Sequence, residues 1–280
     1  MEGLLAAIVI GLFFGVMGLL FLYPAVGSFR NFRTFSRAGT KTIDEISYDS
    51  GETAIIDGEL RVRTPVTLPV DDDGSDVGAY AWELHGRSES GPRRRRNGRK
   101  KNQRQVTDYG LEYGDVVIDT GSDEIMVDFE WLKRRHDKQA APPDSGSGWG
   151  PSKSSPFGSS TLLLEGRSHR TSVTDPAELP RQLADFLGSR PTSDTDAEAK
   201  RFETRHVHDG DAVTAYGAVD VRQGAPLITA SDDDRLVFSD QSATRLPRSS
   251  LKRFLRFFSI AVLLFGVAGA LFSLPLLGVV

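Results

Sequence analysis

Eight cations crowd into one short tract of this chain: Arg93, Arg94, Arg95, Arg96, Arg99, Lys100, Lys101 and Arg104. Close to anionic lipid headgroups, each such cation is worth about 1 kcal/mol of attraction. At molar salt the Debye length shrinks to about 3 Å, and only direct contact survives. Phosphate contacts to nucleic acid would use the same charges. No aromatic residue is interleaved for base stacking, however, so nucleic acid is not the expected partner. A solvated hairpin loop is the plain alternative to a lipid-binding one, and the residues themselves leave both open.

Two histidines come next. His206 and His208 stand two apart on a predicted strand, so both rings face one side, and Asp209 and Asp211 follow. They are the metal candidates, set against exposed histidines on one strand face and lacking a convincing third protein ligand. The Asp71–Asp73 and Asp232–Asp234 runs lack calcium-loop spacing and read as solvated turns. There is no GxSxG elbow and no phosphate-binding GxxxxGK, so hydrolase and nucleotidase readings have no anchor. With no Cys, the 280 residues contain no disulfide, thiol catalyst, iron–sulfur cluster or Cys-based zinc site. No catalytic residue and no cofactor is expected.

The elements that must position these residues are bracketed by two apolar segments. Leu4–Val26 (residues 4–26) and Phe257–Val280 (residues 257–280) each reach the 20 or so helical residues that a hydrocarbon core of about 30 Å requires, without an internal charge. The first starts with Glu2, has too long an apolar run and lacks a small-x-small site, which speaks against a cleaved signal peptide. Arg30, Arg33, Arg37 and Lys41 follow it; Arg245, Arg248, Lys252, Arg253 and Arg256 precede the second. The expectation is a multi-pass protein of the cell membrane, with its middle domain in the cytoplasm and both termini outside. Gly11 with Gly15, and Gly266 with Ala270, form small-xxx-small pairs. Such pairs let two helices pack as a hairpin, or between chains as a homo-oligomer, although glycine is common in membrane helices anyway. No ionisable residue inside either span offers an ion or proton path.

Residues 42–248 make the soluble domain. Cations are mostly Arg, acids mostly Asp, and net charge is −4, a skew like that of proteins from salt-rich cytoplasms or GC-rich genomes. Stretches 88–105, 138–160 and 189–200 are too poor in apolar residues to offset the entropy of ordering, and read as inserts and linkers. Between them lie short β-branched or aromatic runs: AIIDGELRV, AYAWELH, DVVIDT, EIMVDFE, STLLLE, RFETRHV, AVTAYGAV, PLITA and RLVFS. These predict a mainly-β, barrel- or sandwich-like α+β domain with one packed helix. That helix has Asp175 to cap it, Pro176 at its first position, Glu178 to complete a capping box, and an apolar face of Leu179, Leu183, Phe186 and Leu187. Gly188 ends it. GETAIIDG (Gly51 to Gly58) and GDAVTAYG (Gly210 to Gly217) repeat a pattern of turn, strand and glycine bend at the two ends of the domain.

The ordered series TIDEISYDSGETAIIDGELRV, RTPVTLPV, AYAWEL, DVVIDTGSDEIMVDFE, LPRQLADFL, RFETRHVHDGDAVTAYGAV and RLVFSD, set between the two spans, resembles the GIDE or beside-a-membrane (BAM) domain family. That family includes membrane-anchored mitochondrial ubiquitin ligases and prokaryotic relatives. The resemblance rests on the matched series, with Gly51, Gly58, Glu203, Gly210, Asp211 and Gly217 as its structural residues. In the eukaryotic members a RING domain with two zinc ions recruits the conjugating enzyme. No RING lies within these 280 residues, since they hold no Cys. The resemblance therefore implies the other half: a membrane-tethered, non-catalytic binding or scaffold module in membrane or envelope maintenance, with lipid and a membrane-associated protein as partners. E3-type ubiquitin transfer, with a partner supplying the RING, is the alternative.

Overall fold

The computed structural model describes residues 2–38, 53–70, 76–87, 104–137, 156–159, 161–173, 181–188, 200–222, 224–230 and 235–273. The chain falls into two units, Met1–Gly39 with Ala243–Val280, and Thr40–Ser242. In order, the described elements are α1 (Glu2–Ala38), β1 (Thr53–Thr64), β2 (Val77–Arg87), β3 (Arg104–Tyr113), β4 (Asp115–Asp119) and β5 (Glu124–Val127). Then come α2 (Phe129–His136), β6 (Leu162–Leu163), β7 (Arg167–Val173), α3 (Arg181–Gly188), β8 (Lys200–His208), β9 (Ala212–Arg222), β10 (Ala225–Thr229), β11 (Val237–Ser239) and α4 (Arg245–Ser273).

In the first unit α1 and α4 pack on each other, and both are long and apolar enough to cross a membrane. Each continues past its apolar run into the neighbouring basic segment, because nothing there breaks the helix. The helices run antiparallel: a side chain at Gly11 would meet the Phe272 ring and one at Gly18 the Phe265 ring, while Phe29 faces Phe254 at 5.1 Å. Phenylalanines seven apart on one helix thus lean on glycines seven apart on the other. Of the small-xxx-small pairs in the sequence, Gly11 lies at this contact, where the spacing is seven and not four. A side chain at Gly15 or Gly266 would meet nothing within 4 Å, and Ala270 is exposed. Only a seven-residue spacing keeps step with the Phe265–Phe272 repeat along a shared seam.

In the second unit β1 pairs antiparallel with both β4 and β9, β4 with β5, β5 with β10 in parallel, and β10 with β9, closing a five-stranded barrel. With α2 leaving β5, this is the connectivity of an OB-type barrel. Strands β11 and β6 extend the sheet beyond β9. Two insertions, residues 65–113 and 138–208, together supply a separate antiparallel sheet of order β3-β2-β8-β7. The repeated segments turn out to be partners. β1 and β9 lie side by side, with Ala54 opposite Gly217 and Gly58 opposite Val213. A side chain at Gly58 would strike the Asp119 carbonyl, and one at Gly217 the Thr229 carbonyl, so each glycine lets the next strand cross the barrel wall closely.

One core cluster fills the barrel with Ile56, Leu60, Ile118, Ile125, Val219 and Ile228, and continues to the facing side of the second sheet through Ala79, Ala81, Leu111 and Val207. The opposite side of that sheet carries Tyr80, Trp82, Leu84 and Phe202 under Leu183, Phe186 and Leu187 of α3. Burying a side chain such as Leu183 contributes about 2 kcal/mol. The predicted helix therefore packs on a sheet; its capping residues Asp175, Pro176 and Glu178, and Leu179, lie outside the described residues.

The domain holds a second helix that the sequence reading took as the tail of EIMVDFE. Asp128 caps α2 by accepting from the Trp131 N–H at 2.9 Å, and Phe129, Leu132 and His136 form its buried stripe. Stretches 88–103, 138–155 and 189–199, together with Ser160, lie outside the described residues. The remainder of the expected linkers is ordered: Arg104 and Gln105 open β3, Lys200 opens β8, and Pro156–Gly158 forms a single 3-10 turn that packs Phe157 against the core.

Candidate functional site

The second sheet carries a cluster of buried charge. Along its barrel-facing side the alternation of β2 places Glu83 and His85 beyond Ala79 and Ala81, and β8 contributes Glu203 and Arg205. Glu83 and Glu203 are direct cross-strand partners, both buried. His85 Nε2 lies 3.2 Å from Glu83 Oε2. Glu203 accepts from Arg201 at 2.7 Å and Arg170 at 3.1 Å, so one carboxylate of the pair is held between two guanidinium groups. Burial, first, and the neighbouring Glu203 charge push the Glu83 carboxyl up to about 7, against the Phe157 N–H and the Arg205 charge. Arg205 donates to the Leu164 carbonyl at 2.9 Å and covers the Phe157 ring at 4.4 Å. The group can hold or release one proton near neutrality while fastening the 3-10 turn to the sheet. Glu203 entered the sequence reading through the resemblance; Glu83 did not, because only the strand register brings the two together.

The histidines share one side of their strand, as their spacing predicts, but not the exposure. His206 and His208 are buried, not exposed, and their rings meet edge-on at 4.9 Å on the Trp82 side of the sheet. The acids expected to join them serve the backbone. Asp209 accepts from the Val62 N–H, and Asp211 from the His208 N–H, each at 2.8 Å; Asp211 also lies 3.7 Å from Arg167. Gly210 between them takes φ +78°, and its N–H donates to the Leu60 carbonyl at 2.7 Å. Gly210 and Asp211 therefore make the corner where the second sheet's β8 becomes the barrel's β9. Among the described residues no group of three or more His, Asp or Glu could hold a metal ion.

A third cluster has the residue types of a nucleophile and base. His136 Nε2 lies 2.6 Å from Thr161 Oγ1 and 3.2 Å from Ser159 Oγ, and the hydroxyls are 2.8 Å apart. All three are buried, and both hydroxyls address the same ring nitrogen. The arrangement clasps the end of α2 to the entry of β6.

Of the basic tract, Arg93, Arg94, Arg95, Arg96, Arg99, Lys100 and Lys101 lie outside the described residues, as does Gly51; Arg104 begins β3. No family model matches the chain, and neither does any curated protein or solved structure.

Proposed function

We propose that this chain is a membrane-anchored, non-catalytic binding and scaffold module of the GIDE type. The observation that carries the reading is the pair of long apolar helices, packed on each other with large side chains such as Leu12, Phe13, Leu19 and Leu20 turned outward. A surface of that kind is stable in lipid and a liability in water. The β-rich unit between them would present the binding surface; its described polar clusters fasten strands, turns and helix ends to one another. The flanking cations favour a cytoplasmic domain with both termini outside. Anionic lipid and a membrane-associated protein are the proposed partners, and upkeep of the membrane or envelope the proposed process.

The test has two parts. In native membranes the chain should resist alkaline carbonate extraction; release into the supernatant would remove the anchoring. Crosslinking followed by mass spectrometry should then recover lipid or membrane proteins, lost when residues 88–103 are deleted. That deletion stops short of Arg104 because β3 begins there. Recovery of a ubiquitin-like protein or its conjugating enzyme would instead favour partner-dependent transfer.

A further inference from the structure

We infer that the paired helices carry an anionic-lipid site of their own, a basic collar where α1 and α4 leave their apolar lengths. This rests on the proposed anchoring and gives anionic lipid a second site, apart from the basic tract of residues 93–101. The collar comprises Arg30 and Arg33 on α1 and Lys252, Arg253 and Arg256 on α4, all exposed. The Phe29–Phe254 ring contact at 5.1 Å sets these two helix stretches at one level. At about 1.5 Å of rise per residue, the five cations fall within about 6 Å of that aromatic pair along the axis. A bilayer's headgroup layer is about 5–7 Å deep on each side, which matches the band.

Segments 27–38 and 243–257 contain no Asp or Glu, and none of the five cations has an ion-pair partner among the described residues. Five like charges on two touching helices repel one another, and a ring of lipid phosphates relieves that repulsion. Four of the five are Arg, whose planar fork meets phosphate oxygens two at a time. Arg37, Arg245 and Arg248 lie about 9–14 Å beyond the aromatic pair, outside the headgroup layer. They supply an internal comparison of equal chemistry and different depth.

The experiment reconstitutes the full chain in vesicles of mixed phosphatidylcholine and phosphatidylglycerol, checks carbonate resistance, and counts retained lipids by native mass spectrometry. Phosphatidylglycerol should be retained at least about five-fold above its mole fraction, the factor equivalent to one surface cation. Joint Arg30→Gln, Arg33→Gln, Lys252→Gln, Arg253→Gln and Arg256→Gln should abolish the preference, whereas Arg37→Gln, Arg245→Gln and Arg248→Gln together should keep it. Equal retention of the two lipids by an inserted chain overturns the collar and leaves the anchoring standing. So does a preference lost only when Arg93 to Lys101 are neutralised, or lost equally with the outer three. A chain that fails to resist carbonate removes both.

Discussion

Shielded from water and opposite Glu203, the Glu83 carboxyl binds its proton more tightly when folded, near 7, than in the unfolded chain, near 4.5. A group raised in this way contributes stability that is complete below about 4.5 and is lost as pH rises through about 7. Glu83→Gln keeps an acceptor for the Phe157 N–H and removes the charge. It should raise stability by about 1 kcal/mol at pH 8, allowing for partial solvent screening, and do little at pH 5. Thermal melts at the two pH values check this; a difference that does not change with pH would count against it. Thr204 offers a second residue-scale test. Its hydroxyl is fully buried with no hydrogen-bond partner among the described residues. Thr204→Val keeps the shape and discards the unsatisfied group, so the midpoint in urea should rise by the equivalent of about 1 kcal/mol. Neither position stood out in the sequence. RFETRHV shows alternation and nothing more, and which of its residues meets Glu83 or Trp82 depends on a strand over a hundred residues away.

Helix pairing makes its prediction at the scale of elements. Gly18→Ile drives a side chain into the Phe265 ring, an overpacking that costs about 1–3 kcal/mol, whereas Gly15→Ile projects into open space. Distances between spin labels at exposed Val16 and Val267 should broaden in the first variant and stay narrow in the second; equal behaviour would place the seam elsewhere. Both long apolar helices were legible because length and polarity are properties of one contiguous segment. Their contact face was not, since it belongs to two segments at once. In the domain α3 announced itself through Leu183, Phe186 and Leu187 at helical spacing, while α2 hid behind EIMV. Its signals were Asp128 at the cap and the Phe129, Leu132 and His136 stripe. β7 was missed because RSHRTSV has almost no apolar residue; backbone pairing with β8 holds it in place.

For the molecule as a whole, the sequence anticipated a β-rich unit between two apolar helices, and the faint similarity of GETAIIDG and GDAVTAYG was its best hint of topology. That the two copies would lie against each other followed from closing a barrel, which no local pattern encodes. This pairing has a consequence in time. β1 is near the beginning of the domain, and its neighbour β9 ends at Arg222. At about 5–20 residues per second, a ribosome needs roughly 10–30 s to make the intervening chain. Throughout that interval Ile56 and Leu60 have no barrel to enter. Arrested nascent chains should be cut readily by protease when they stop before β9, and become resistant once β11 has emerged. Stepwise protection growing from β1 onward would contradict this. The cell must keep an unfinished β-sheet from finding the wrong partner for the better part of half a minute, and the first helix is made before any of it.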